Sequence, residues 1–376
     1  MLVLPVFLLF LAQQSAKPPA SAAPAVTFDN LARQAAAARD AGKLDGAVAL
    51  YQRALKQRPS WDEGWWNLGS LHYDLDQYAD CSLAFAKLTA LKQDLSPGWI
   101  MEGLCQYGAH DYRAALKSFA RSELLHFDGP PELSRAARLH FALCLTKAGT
   151  FEKAIVTLTE LTRIDKRSPE ISVAAGIAGL RKAWLPGEVP EGDREMVSRL
   201  GDAMGSAMEM DPKAATEKFA ALVNDFPRQA DLHFRYGAFL MQQQPEKGIA
   251  ELKKVLELDA KHIPALVGLS TIYLKNGEAA TAQEYAEKAV AADPGDFATH
   301  ISLGRALLET GDDARAADQL RLATQLAPES GQLRQGRQGP LRVNERRHNL
   351  PLRQLLRRPR PHDGREHARQ DLRKGD

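Results

Sequence analysis

Residues 297–330 read FATHISLGRALLETGDDARAADQLRLATQLAPES, and the order of residue types in this stretch decides the fold. His300, Leu303, Gly304 and Leu307 recur at offsets of three, four and seven, the spacing of one face of an α-helix. Gly311 and Asp312 interrupt the pattern. Ala314, Ala317, Leu320 and Ala323 then line one face of a second helix, and Pro328 stops it. Helix, turn and helix fill 34 residues.

The scheme repeats along the chain. Ala47, Ala282 and Ala317 each begin a run that continues to Ala54, Ala289 and Ala323 and closes at Pro59, Pro294 and Pro328. Residues 263–296 carry Leu266, Leu269, Tyr273, Gly277, Ala282 and Ala286, and residues 62–95 carry Trp65, Leu68, Gly69, Tyr78, Phe85 and Leu88. Looser copies occupy 28–61, 96–129, 135–168, 196–229 and 230–262, the last one residue short at its turn. A lone hairpin cannot bury both faces, so a period of this length marks a stack in which each hairpin covers the next. Small residues at the crossings let the helices approach, and a change such as Ala317→Leu is expected to overpack the seam.

The run Trp65, Leu68, Gly69, followed by a turn, a small residue, an aromatic, a second small residue and a closing proline, resembles the tetratricopeptide repeat family. The resemblance covers about 28–330. It implies an all-α, right-handed superhelical solenoid of about eight stacked helix-turn-helix hairpins. It also implies that first helices line a concave groove that holds a partner peptide. By register, the groove includes Trp66, Asn67, Ser70 and Tyr73 in the second copy and Ile100, Met101, Leu104 and Tyr107 in the third. Trp66 and Tyr73 are seven apart and share a face distinct from that of Trp65, Leu68 and His72. They either meet a partner or pack on neighbouring first helices. The partner-binding set expected here is Trp66, Asn67, Tyr73, Ile100, Leu104 and Tyr107. Some family members clamp a terminal carboxylate with Lys, Asn and Arg. Asn67 fits one such position, but Ala32, Ala36, Pro97 and Met101 occupy the others, so an apolar peptide or amphipathic helix suits this groove better.

The ends read differently from the middle. Leu2 to Ala12 form an apolar run too short to span a bilayer, followed by Ala20-Ser21-Ala22, a small-x-small cleavage signature. Residues 1–22 are therefore expected to be a signal peptide and 23–27 a linker, in an exported protein, periplasmic or extracellular. Residues 28–169 form a first block of repeats. Residues 170–195 are an irregular helix, Ile171 to Trp184, with Gly176 and Gly179 permitting close packing, and a turn-rich connector. Residues 196–330 form a second block. Residues 331–376 hold thirteen Lys and Arg against five Asp and Glu, four prolines and no aromatic residue. Such a segment cannot bury a core. It is a basic arm for nucleic acid or another anionic polymer, a solvated tail, or the product of a shifted reading frame.

Chemistry-bearing motifs are missing. There is no His-Glu-x-x-His, Gly-x-Ser-x-Gly, phosphate-binding Gly-x-x-x-x-Gly-Lys-Ser/Thr or Gly-x-Gly-x-x-Gly. His233 and His300 share the position of Trp65 and read as hairpin packers. Cys81, Cys105 and Cys144 contain no Cys-x-x-Cys pair and read as three buried small hydrophobes, with a Cys105–Cys144 bond as the alternative. No catalytic residue, metal, cofactor or small-molecule substrate is implied. The expected function is non-catalytic binding of a protein or peptide in the groove, in envelope assembly or a secreted complex. The alternative is anionic-polymer binding through the tail.

Overall fold

In the computed structural model, residues 27–164 and 168–326 are described, and every regular element among them is helical. The expected signal segment 1–22, most of the linker, Pro328 and the basic tail 331–376 lie outside the described residues. The chain divides into two compact units, Met1–His110 and Asp111–Asp376. The first holds α1 (Phe28–Asp40), α2 (Leu44–Gln57), α3 (Asp62–Asp74), α4 (Tyr78–Leu91) and α5 (Ser96–Gly108). The second begins with α6 (Tyr112–Leu124), α7 (Pro131–Lys147), α8 (Phe151–Ile164) and α9 (Pro169–Gly179). It continues with α10 (Arg194–Met208), α11 (Pro212–Asp225), α12 (Ala230–Leu240) and α13 (Pro245–Leu258). It closes with α14 (Ile263–Lys275), α15 (Ala279–Ala292), α16 (Phe297–Thr310) and α17 (Asp313–Leu326). Within each unit, every helix packs on the next in chain order, as stacked hairpins require.

The turns set the phase of each second helix. Gly42, Gly149, Gly277 and Gly311 adopt left-handed φ of 70–85°. Asp76, His110 and Met210 adopt the same conformation without glycine's freedom. At Gly42 the geometry closes a two-bond helix cap, with its own N–H donating to Arg39 O and that of Lys43 to Ala38 O, both at 2.9 Å. Five residues beyond each left-handed residue stands a small side chain with no exposure: Ala47, Cys81, Ala115, Ala154, Ala215, Ala282 and Ala316. This corrects the expected register of the last hairpin. Ala316 is the seam residue, Ala317 is half-buried and Ala314 is exposed, because the helix phase follows from Gly311.

Close backbone approach explains two glycines in the middle of the chain. A Cβ on Gly176 would lie 2.0 Å from Val197 O, and one on Gly201 would lie 2.0 Å from Ser172 O. So α9 and α10 touch backbone to backbone. α9 is shorter than the expected helix to Trp184: it ends at Gly179, and Arg181 turns left-handed at φ 53°. Two short 3-10 turns, Pro186–Glu188 and Glu191–Asp193, complete the connector. The hairpin of α12 and α13 has no left-handed turn residue, and there Gly237 and Gly248 meet through their backbones.

The cysteines depart from both expectations. Cys81 on α4 and Cys105 on α5 form a disulfide with Cα atoms 5.7 Å apart. Neighbouring helices bring these two together. Cys144 remains free and buried, and burial pushes its thiol up to about 12.

The turn-counted phase separates two adjacent alanines. Ala316→Leu is expected to destabilise the chain by about 1–3 kcal/mol through overpacking. Ala317→Leu is expected to cost less than about 1 kcal/mol. Denaturant unfolding of both variants checks this, and equal costs would show that the phase is wrong.

Candidate interaction surface

Four first helices, α3, α5, α12 and α16, are tied to the joint before them by a ring nitrogen. Trp65 Nε1 donates to Pro59 O at 2.8 Å, and Trp99 Nε1 donates to Gln93 O at 3.0 Å. His233 Nε2 does the same to Pro227 O at 3.1 Å, and His300 Nε2 to Pro294 O at 2.9 Å. The four rings are equivalent in register and each reaches six residues back. The carbonyl belongs to the joint that follows a second helix, so the bond fixes the angle at which the next first helix enters. The two histidines are packers, as their position suggested. A further nitrogen is available to them: His233 Nδ1 lies 2.6 Å from Glu251 Oε2, and His300 Nδ1 lies 2.7 Å from Gln319 Oε1.

With that ring turned inward, the next residue on the helix faces another way. Trp66 is half-buried and meets Phe85 edge to face at 5.5 Å. Tyr73 is half-buried and meets Tyr78 edge to face at 5.9 Å. Both rest on a buried cluster of Cys81, Phe85, Leu88 and Cys105. Asn67 accepts a hydrogen bond from the Arg39 guanidinium and donates to Glu63 O at 2.8 Å. The structure thus gathers Trp66, Asn67 and Tyr73 on one partly open helix face. Ile100 is fully buried and Leu104 is 7 % exposed, so these two belong to the core and offer a partner no surface. Tyr107 stays half-buried.

The same register positions line a cleft in the second unit. It measures about 160 Å³. Val267, Thr271 and Leu274 of α14 form one wall; Ala298, Ile301, Ser302 and Arg305 of α16 form the other. Val267 and Ile301 are the counterparts of Trp66, Thr271 and Arg305 of Ser70, and Leu274 of Tyr73. The walls are joined underneath by a buried hydrogen bond from Ser302 Oγ to Ser270 Oγ at 3.0 Å. Arg305 is exposed and makes no ion pair among the described residues. The sequence pattern contained this site, since its register was already known at Trp66; the smaller aliphatic residues here carried no aromatic signal to mark it.

An ionic cluster in the same unit was invisible to spacing. Arg235 on α12 is 7 % exposed. It donates two bonds of 2.9 Å to the Glu152 carboxylate on α8 and one of 3.1 Å to Gly179 O at the end of α9. Arg181 adds a 2.9 Å bond to Glu152. Asp231 lies 3.9 Å from Arg181 and 3.2 Å from His262. Burial pushes the Glu152 carboxyl up, but the Arg235 bonds and the two guanidinium charges outweigh it and hold the pKa below the ordinary carboxylate range. The Glu152 side chain remains 59 % exposed. The cluster therefore aligns α8, α9 and α12 more than it adds net stability. No group of three or more metal-ligating side chains occurs among the described residues, and none of their helices is long and apolar enough to cross a membrane.

Comparison with known proteins agrees with the repeat reading. Residues 267–331 and 37–76 match tetratricopeptide-repeat family models. The first match contains the cleft, and the second contains Trp66, Asn67 and Tyr73. No curated protein matches the chain. Among solved structures, MamA is 18 % identical, covering 52 % of this chain and 94 % of its own, with a TM-score of 0.38. A tetratricopeptide repeat protein from Parabacteroides merdae is 12 % identical over 82 % of this chain and 96 % of its own, with a TM-score of 0.35. Yeast Tom70 is 12 % identical over 80 % and 76 %, with a TM-score of 0.33. The family matches and the helical hairpins support a tetratricopeptide-repeat protein, a class whose members generally serve as non-enzymatic protein-interaction scaffolds.

His233 carries a titration that tests the joint geometry. Its ring donates from both nitrogens, and the Glu251 bond raises its pKa above the ordinary value against the opposing pull of burial. A raised folded-state pKa contributes stability that is fully present below the unfolded value of about 6.5 and is lost as pH rises through the folded pKa. NMR titration is expected to place His233 above about 6.5 and to show Glu251→Gln bringing it down. A midpoint that ignores the substitution contradicts the pairing.

Proposed function

We propose that this chain is a non-catalytic scaffold that holds a partner polypeptide on the outward face of its first helices. The observation that carries the reading is the α14–α16 cleft, an apolar trough built from the positions that the repeat register assigns to partner contact. Trp66 and Tyr73, with Asn67 between them, supply an aromatic face of the same kind in the other unit. Arg305 gives the trough a cation at its rim, so a partner segment carrying an aliphatic side chain followed by an acidic one suits it. The peptide here is read by shape and burial, with the cation adding orientation.

We further propose that the protein works outside the reducing cytosol, in an envelope or secreted complex. A disulfide between two buried cysteines persists in oxidising compartments and is rare elsewhere, which supports that placement.

The test uses the full chain carrying a photo-crosslinking residue at Thr271 or Ser70, incubated with envelope proteins. Both positions are expected to capture a polypeptide. Ile301→Ala with Arg305→Ala is expected to weaken capture at Thr271 by at least ~10-fold, and Trp66→Ala with Tyr73→Ala to do so at Ser70, with helical content unchanged. Deletion of 331–376 and a rise in salt should leave capture in place, because phosphate-type binding alone falls steeply with salt. Capture that survives both double substitutions removes the groove from the account.

A further inference from the structure

The seam between α4 and α5 is built unlike the others. Where six other left-handed turn residues are followed five residues later by alanine, Asp76 is followed by Cys81 on α4. That sulfur is bonded to Cys105 of α5, 24 residues later, and neither residue is exposed. A second link crosses the same seam, where Thr89 Oγ1 donates to Glu102 Oε2 at 2.7 Å in buried surroundings. The rings that face outward, Trp66 and Tyr73, pack directly on the cluster formed by Cys81, Phe85, Leu88 and Cys105. The covalent bond therefore lies under the presented face of this unit, holding fixed the floor on which the two aromatic rings stand.

We infer that the Cys81–Cys105 disulfide is a staple that sets the presented face of α3, and that this face is competent only in the oxidised protein. Its binding consequence rests on the function proposed above; its structural consequence does not. The chemistry is two-electron reduction by a dithiol. The S–S bond breaks, each sulfur leaves as a thiol after taking a proton, and the reductant closes to its own disulfide. Because both sulfurs are buried, a reductant reaches them only when the α4–α5 seam opens, so the bond behaves as structure under mild exposure. Once broken, the loop from Cys81 to Cys105 regains conformational freedom that the bond had removed. The floor under Trp66 and Tyr73 then loosens, while the α14–α16 cleft, which has no such bond, is unaffected.

Three measurements on the full-length protein test this. Alkylation after denaturation without reductant should modify one cysteine, Cys144, and three after reduction with dithiothreitol; three in both cases overturns the bond. Amide exchange across 78–108 should quicken roughly 10-fold or more on reduction, and equally in the Cys81→Ala, Cys105→Ala variant, while exchange across 263–326 stays as it was. Cys81→Ala restores the residue that the other hairpins carry, and reduction of the unaltered chain gives the same readout should the variant fold poorly. Unchanged exchange across 78–108 in both samples overturns the staple. Crosslinking at Ser70 should fall on reduction and crosslinking at Thr271 should not. If exchange responds while Trp66→Ala with Tyr73→Ala leaves capture intact, the groove reading fails and the staple stands.

Discussion

A helical hairpin has more apolar surface than it can cover by itself, and every other feature of this chain follows from how that surplus is buried. The second helix must turn its smallest side chain towards its partner so that the backbones come close, and must do so at the same depth in each hairpin. The chain meets this demand by measuring from the turn. At seven turns a left-handed residue is followed five residues later by a buried side chain of one or a few heavy atoms, from Ala47 to Ala316, while α12 and α13 meet through Gly237 and Gly248 instead. At α9 and α10 the demand is sharper, and only glycine fits, since Cβ atoms at Gly176 and Gly201 would run into carbonyl oxygens. Within each unit, packing inside a hairpin thus passes directly into packing between hairpins.

The joints add direction to that layer. Indole and imidazole N–H groups at equivalent positions bind carbonyls six residues upstream, so tryptophan and histidine exchange freely as long as a ring donor points the right way. This satisfies a carbonyl in the joint two residues beyond a second helix and fixes the entry of the next element. The residue after the ring is not placed alike in every case: Trp66 is half-buried and Ile301 lines the cleft, whereas Ile100 and Phe234 are buried. The Arg235–Glu152 cluster breaks the nearest-neighbour rule, joining side chains 83 residues apart around the irregular α9–α10 region. It stands where the repeat period fails, and supplies by charge the alignment that periodic packing supplies elsewhere.

Periodicity made the hairpins legible, because apolar spacing and turn glycines are local properties. The equivalence of His233 and His300 with Trp65 was legible for the same reason. Four things escaped. The phase of α17 was misjudged by one residue, since two alanines stand side by side at Ala316 and Ala317 and composition does not tell them apart; only counting from Gly311 does. Ile100 and Leu104 were assigned outward from register alone, and their burial depends on packing that no local pattern encodes. The disulfide and the Arg235 cluster join residues whose separation bears no relation to the period. The groove in the second unit was readable in principle, but its aliphatic lining gave no cue until the geometry placed α14 beside α16.

Nearest-neighbour burial is the claim on which the account stands, and removing the last hairpin tests it most directly. In a chain truncated after Ala292, which lacks α16 and α17, residue-resolved amide exchange is expected to show protection falling steeply in α14 and α15, whose seam is then uncovered, while α10 to α13 change by less than about tenfold. A uniform loss of protection through the whole second unit would instead mean that one cooperative core holds these helices together, and would contradict the stacked-hairpin account.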